Sequence, residues 1–277
     1  MTTKYLPRYS YTFDIERSFS YEWGRTFLIE NTWIPITAIT VYLTMIVTGR
    51  YLMKDRKPFK LTQVLFYWNL ALAAFSIMGS IRSIPEFYHV ATKFGLNHTI
   101  CQQKPSDGVY SFWCAMFISS KIIELGDTLF IVARKQPLMF LHWFHHVTVL
   151  IFGWWSSMGP LGFGRYIMTM NFFVHSLMYS YYAARIKKIP VPKPLAMTIT
   201  LLQIAQMFGG VFVTIYAFIE VTAGRECQIT PTALNMSIVC YGSYLVLFIR
   251  FFIASYFGKS AKKSEPRDSN ANIKKID

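Results

Sequence analysis

Seven apolar runs, each of about 20 residues, restrict what this chain can fold into, because that length of apolar helix crosses a bilayer. The chain is 53% hydrophobic and only 15% charged, whereas a soluble domain carries about 25% charged residues. In lipid, helices satisfy their own backbone hydrogen bonds. The sequence therefore predicts an all-α integral membrane protein with seven transmembrane helices. The runs cover residues 32–49, 62–84, 111–133, 138–157, 165–184, 195–220 and 232–257.

The charge pattern predicts how these helices are oriented. An odd number of spans places the two termini on opposite sides, and the side that holds the C-terminus carries about twice as many lysines and arginines as the other. Lysine and arginine are enriched in cytosolic loops. We therefore expect a lumenal N-terminal segment (residues 1–31), a seven-helix membrane domain (32–257) and a cytosolic basic tail (258–277). No basic face or fold motif for nucleic acid accompanies the net charge of +14, which excludes nucleic acid as a partner.

Three local features agree with this orientation. Cys101 and Cys227 lie in two loops that are both lumenal, where an oxidising compartment permits a disulfide. Asn97 opens an Asn-His-Thr glycosylation sequon in the first of these loops. Lys274 and Lys275 stand third and fourth from the end of the chain. This dilysine resembles the cytosolic retrieval signal of endoplasmic-reticulum membrane proteins, so we expect that membrane to be the location.

Four groups of polar residues lie inside the predicted helices, each group on one helical face. Ionisable side chains at membrane depth are costly and indicate function, although such groups can also simply join neighbouring helices. By helical rise the groups fall in the cytosolic half. The groups are Lys121, Glu124, Asp127 and Thr128; His142, His145 and His146; Asn171, His175, Met178, Tyr179 and Tyr182; and Thr200, Gln203 and Gln206.

The cytosolic mouth of this region is basic. Arg134, Lys135, Lys187 and Lys188 lie in the adjoining loops and would attract phosphates. A long-chain acyl-CoA has a matching shape, with a phosphate-rich head, a thioester and an apolar tail. Three classes remain open on the residues alone: acyl transfer through an imidazole nucleophile, a metalloenzyme with His and carboxylate ligands, and a polar-lined channel or transporter. A di-metal centre would need more than the four histidines available there, and no broken helix of the kind that transporters use is apparent.

The order and spacing of the four groups resemble the ELO family of fatty-acid elongases, the very-long-chain 3-oxoacyl-CoA synthases. The resemblance extends from about residue 30 to 257, and the paired lumenal cysteines also match. The contexts Glu124-Leu-Gly-Asp-Thr128 and Leu141-His-Trp143 look most like the branch that extends palmitoyl-class saturated and monounsaturated chains. The matching motifs are Lys121-x-x-Glu124-x-x-Asp127-Thr128, His142-x-x-His145-His146, Asn171-x-x-x-His175-x-x-Met178-Tyr179-x-Tyr181-Tyr182 and Thr200-x-x-Gln203-x-x-Gln206.

The resemblance implies a fold in which helices two to seven enclose an acyl tunnel and the first helix stands outside. It implies that a long-chain acyl-CoA and malonyl-CoA condense to a 3-oxoacyl-CoA, CO2 and CoA, without a metal or other cofactor. His145 would be the nucleophile, His142 and His146 would tune it and move protons, and His175 with Asn171 would stabilise the enolate. The substrates would be bound by Lys121, Glu124, Asp127, Thr128, Tyr179, Tyr182, Gln203 and Gln206. Membrane lipid and the reductases and dehydratase of the elongation cycle are the expected partners, and a homo-oligomer is left open.

Overall fold

The computed structural model describes residues 9–103 and 107–257, and these residues form ten helices with no strand. One isolated antiparallel bridge joins Leu161 to Ile229. The most extensive helix–helix interface is that between α4 and α8. Helix α10 packs on both α9 and α7. The helices are α1 Asp14–Arg17, α2 Tyr21–Glu30, α3 Trp33–Met53, α4 Thr62–Cys101, α5 Val109–Ile123, α6 Gly126–Ala133, α7 Phe140–Ser156, α8 Gly164–Ile186, α9 Lys193–Thr222 and α10 Pro231–Tyr256.

Four helices, α3, α4, α9 and α10, are long and apolar enough to cross a membrane. The all-α membrane character predicted from the sequence is thereby confirmed in the described residues. The other three predicted spans are not single, long and uniformly apolar helices. The run at 138–157 forms a helix of 17 residues, and α8 carries the polar residues Arg165, Asn171 and His175. The run at 111–133 forms two helices, α5 and α6.

The break between α5 and α6 corrects the sequence interpretation, which had treated residues 111–133 as one continuous helix. α5 ends at Ile123 and α6 begins at Gly126, so Glu124 lies at the junction. A Cβ on Gly126 would lie 2.7 Å from the indole of Trp68. The glycine therefore lets Trp68 of α4 pack directly across the junction. Because helical periodicity does not register such a contact, the break could not be read from the sequence pattern.

The N-terminal segment, predicted as a separate lumenal piece, packs into the bundle over its described part. Glu16 is fully buried, and its carboxylate accepts hydrogen bonds from Arg82 of α4 at 2.5 and 2.8 Å and from Trp113 Nε1 of α5 at 2.7 Å. Burial alone would raise the pKa of Glu16, but the hydrogen bonds from Arg82, Trp113 and the Phe13 backbone lower it overall. A buried ion pair thus fixes α1 against α4 and α5.

A disulfide between Cys101 and Cys227 joins the end of α4 to the loop between α9 and α10, across 126 residues of sequence. The backbone N–H of Gln228 also donates to the carbonyl of Cys101 at 2.7 Å. Asn97 of the sequon is exposed at the end of α4, and its Nδ2 donates to Glu220 Oε2 at 3.1 Å. The dilysine, Lys274 and Lys275, lies outside the described residues.

Candidate active site

One cavity brings most of the predicted site residues together. It has a volume of about 720 Å³ and is enclosed by α4, α6, α7, α8, α9 and α10. Its outer end lies among the basic ends of the helices, and its inner end reaches Gln206 and Met207, about 20 Å along α9 by helical rise. The predicted residues that line it are Glu124, Asp127, Arg134, His142, His145, His146, Asn171, His175, Tyr179, Tyr182, Lys188, Gln203 and Gln206.

Four side chains, three of them buried, form a polar ring at the inner part of this cavity. Lys121 Nζ lies 2.8 Å from Glu124 Oε1 and 2.9 Å from Asn171 Oδ1. Asn171 Nδ2 lies 3.2 Å from His175 Nε2, and His175 Nδ1 faces Glu124 Oε2 at 3.8 Å. The lysine can only donate, so Asn171 presents its oxygen to Lys121 and its amide N–H to His175. His175 therefore carries its proton on Nδ1, directed at Glu124.

Asp127 and Thr128 are fixed by residues from other helices. Asp127 Oδ1 accepts from Trp68 Nε1 at 2.6 Å, and its Oδ2 accepts from the Tyr179 hydroxyl at 2.8 Å. Thr128 is fully buried, and its hydroxyl lies 2.9 Å from His142 Nε2. The sequence placed both residues on one face with Lys121. The structure separates their roles, because Asp127 bonds residues of α4 and α8 whereas Thr128 bonds a residue of α7.

The three histidines of α7 have different surroundings. His142 is held by Thr128, and its ring centroid lies 4.5 Å from that of His146. His146 is buried, and its Nδ1 has no hydrogen-bond partner among the described residues. His145 lines the cavity and packs edge-on against the ring of Tyr244 at 5.0 Å. The structure gives the side chain of His145 no hydrogen bond within the described residues, so its ring nitrogens remain available to a ligand.

The basic mouth differs in part from the prediction. Arg134 and Lys188 line the cavity as expected, together with Arg185, which was not among the predicted residues. Lys135 instead donates to the backbone carbonyl of Lys54 at 2.8 Å, at the end of α3. Lys187 donates to Gln63 Oε1 at 3.1 Å, and its ammonium lies over an aromatic ring of α4. Neither lysine lines the cavity, because each already has partners at the surface.

Several contributors to the site were not predicted. Trp68 fixes Asp127, and the hydroxyl of Tyr42 of α3 lies within hydrogen-bond distance of Thr128 Oγ1. Met207 and Phe248 add apolar walls. Tyr42, Trp68 and Phe248 lie in apolar runs with no polar pattern to mark them, so only packing could reveal them. Arg185 had a signal in the sequence, since it directly precedes the basic loop that carries Lys187 and Lys188.

No group of three or more His, Cys, Asp or Glu side chains within residues 9–103 and 107–257 has an arrangement that could hold a metal ion. In the polar ring, the acid Glu124 is occupied by Lys121, and the amide of Asn171 covers Nε2 of His175.

Comparison with known proteins places the chain in a family. Residues 27–264 match the family model described as ELO, the GNS1/SUR4 family. A Drosophila melanogaster protein named very long chain fatty acid elongase 6 is 42% identical, over 95% of this chain and 85% of its own. The human protein of that name is 39% identical, over 91% and 96%. The Caenorhabditis elegans putative fatty acid elongase 3 is 41% identical, over 94% and 82%. The chain that carries this histidine-lined cavity therefore belongs to the ELO (GNS1/SUR4) family.

Proposed function

We propose that the protein is the condensing enzyme of fatty-acid elongation, a very-long-chain 3-oxoacyl-CoA synthase that joins a long-chain acyl-CoA to malonyl-CoA. The observation that carries the mechanism is the state of His145, which faces the cavity with neither ring nitrogen engaged among the described residues. Relatives of the chain are named as fatty acid elongases. An imidazole whose ring nitrogens have no hydrogen-bond partners, in a cavity with basic residues at its opening, is suited to attack a thioester.

The reaction proceeds in two balanced steps. The unprotonated ring nitrogen of His145 attacks the thioester carbonyl, the carbon–sulfur bond breaks, and CoA leaves with the proton that the other ring nitrogen gives up. Malonyl-CoA then loses CO2, and the electron pair of the broken carbon–carbon bond forms an enolate. The enolate carbon attacks the acyl-imidazole, the carbon–nitrogen bond breaks, and the released ring nitrogen takes up one proton from water, which regenerates neutral His145. The products are one CO2, one free CoA and one 3-oxoacyl-CoA longer by two carbons.

The surrounding groups support these steps by their placement. Lys121 Nζ lies within the polar ring beside Asn171 and His175, where its positive charge would favour the enolate and the malonyl carboxylate. His146 lies next to His145 at a ring distance of 5.7 Å and would take part in proton movement. Arg134, Arg185 and Lys188 at the outer end would bind the phosphates of CoA. The acyl tail would extend past His145 into the apolar interior.

The setting of the reaction is part of the proposal. Seven spans would place the C-terminus in the cytosol and Asn97, Cys101 and Cys227 in the lumen of the endoplasmic reticulum. Helices two to seven would form the wall of an acyl tunnel. The outer end of the cavity would then face the cytosol, where acyl-CoA and malonyl-CoA are dissolved. The 3-oxoacyl product must next meet a reductase, then a dehydratase and a second reductase, and these enzymes are the expected partners within the membrane.

Purified full-length protein in detergent micelles, given a ladder of acyl-CoAs with malonyl-CoA, should form 3-oxoacyl-CoA, CO2 and free CoA in equal amounts. Acetyl-CoA in place of malonyl-CoA serves as the matched control and should give no product, because it has no carboxylate to lose. We expect a preference for palmitoyl-class chains. Folded protein that forms no new carbon–carbon bond with any chain length would refute the condensing function. Passage of acyl-CoA or ions through reconstituted vesicles without chemistry would instead favour transport.

Metal content provides a separate test of the histidine chemistry. We expect active protein to contain well under one equivalent of iron or zinc, because acyl transfer through an imidazole requires no Lewis acid. Elemental analysis of the same preparation, before and after dialysis against a chelator, measures this. Chelation should leave turnover unchanged. A near-equimolar metal whose removal abolishes turnover and whose return restores it would establish a metalloenzyme in place of the proposed mechanism.

A further inference from the structure

The first membrane helix, α3, lies at the edge of the bundle, where it packs against α6 and α7. Most of its surface is exposed, including Val41 at 62% and Leu43 at 39%. Tyr42 between them is only 3% exposed and packs against Leu125 and Leu150. A phenol hydroxyl is thereby buried on a helix that was expected to stand outside the site, and a buried hydroxyl requires a partner.

The partner of Tyr42 leads directly to the histidine motif. The Tyr42 hydroxyl lies 2.8 Å from Thr128 Oγ1, which lies 2.9 Å from His142 Nε2. Neither hydroxyl has another hydrogen-bond partner among the described residues. The hydrogens must be assigned from this network. Only one assignment uses both hydroxyl protons: Tyr42 donates to Thr128, and Thr128 donates to His142 Nε2.

The alternatives leave a buried donor unpaired. If His142 Nε2 carried the proton and donated to Thr128, the threonine could pass its own proton only to Tyr42, and the phenol proton would have no acceptor. If both neighbours donated to Thr128, the threonine proton itself would be unpaired in a side chain that is fully buried. Unpaired buried donors are disfavoured. Nε2 is therefore an acceptor, and the neutral ring carries its proton on Nδ1.

We propose that Tyr42 and Thr128 are positioning residues that hold His142 in the tautomer protonated at Nδ1, so that His142 offers a hydrogen-bond donor to the cavity rather than a base. The inference rests on the proposed function and deepens it. His142 lines the cavity one helical turn from His145. A donor there can stabilise the negative charge that develops on the thioester oxygen during attack. The base then has to be another group, and α3 becomes part of the site's support.

The kinetic test uses Tyr42→Phe, which keeps the ring and removes the donor, and Thr128→Val, which keeps the shape and removes the hydroxyl. We expect kcat to fall about fivefold in Tyr42→Phe and roughly 30-fold in Thr128→Val, with KM for both CoA substrates unchanged within about twofold. Thr128→Ser should restore kcat, and Tyr42→Phe should have no further effect on Thr128→Val, because the two act in series. Tyr241→Phe is the matched control, since Tyr241 is buried but has no hydrogen-bond partner in the described residues, and should behave as wild type.

Variants that remain folded with wild-type kcat, or effects that add in the double variant, would overturn the assignment.

A second readout does not depend on turnover. Nitrogen chemical shifts of ¹⁵N-histidine-labelled protein, assigned by the signal lost in His142→Gln, should report protonated Nδ1 and unprotonated Nε2 in wild type. Thr128→Val should shift the population toward protonated Nε2. A wild-type Nε2–H tautomer refutes the proposal. Absence of condensation by wild type refutes the proposed function alone, because the shifts still decide the tautomer.

Discussion

Replacement of His145 by alanine is expected to abolish the release of CoA from an acyl-CoA in the absence of malonyl-CoA. The wild-type protein should release about one CoA per active site in this assay, the burst of a covalent intermediate. It should also gain the mass of the acyl group on a peptide that contains His145. Removal of the nucleophile should lower full turnover by roughly 10³-fold or more, because the remaining groups bind and polarise the substrate but cannot accept the acyl group.

His175→Ala is the informative comparison for that experiment. In the structure His175 is covered by Asn171 at Nε2 and faces Glu124 through Nδ1, so it is not placed to attack. We expect this variant to condense slowly while it still acquires the acyl label on His145. Rapid chemical quench with mass spectrometry separates the two steps. Labelling of His145→Ala on any residue, or a wild-type protein that releases no CoA until malonyl-CoA is added, would show that His145 is not the nucleophile.

Replacement of Lys121 by methionine is expected to lower the free energy of unfolding more than any of the other substitutions proposed above. The side chains of Lys121 and Glu124 are only 2% and 5% exposed. Loss of the ammonium would leave a buried carboxylate without its counter-charge, which typically costs about 3–5 kcal/mol. Unfolding in mixed micelles of increasing SDS content would measure the change. Activity should also be lost, because Asn171 would lose the donor that fixes its amide.

A double variant distinguishes charge from packing. Lys121→Met combined with Glu124→Gln should recover more than half of the lost stability, because no uncompensated charge then remains, while activity stays low. Arg17→Met is the surface control: its pair with Asp14 is 69% and 99% exposed, and such pairs contribute little to stability. If Lys121→Met unfolds like wild type, the carboxyl of Glu124 does not depend on the lysine, and the polar ring has been assigned incorrectly.

Much of the architecture followed from simple periodicity. The apolar runs gave the helical class, and the spacing of His142, His145 and His146 gave a shared face, since helical geometry fixes both. The family, identified on the same motifs, is confirmed by the match over residues 27–264. The prediction of one continuous helix over residues 111–133 was wrong, because α5 ends at Ile123 and α6 begins at Gly126, where the indole of Trp68 occupies the space that a Cβ would need.

The sequence by itself therefore determined the helical membrane character, the family and most of the polar residues that line the cavity, because these depend on hydropathy and on helical spacing within one segment. Only the tertiary structure decided which atoms pair. It joined Lys121 to Asn171, engaged Lys135 and Lys187 away from the cavity and brought Tyr42 of a peripheral helix to Thr128. Such pairs join residues up to 124 positions apart, and they depend on how helices rotate and cross, which no local pattern encodes.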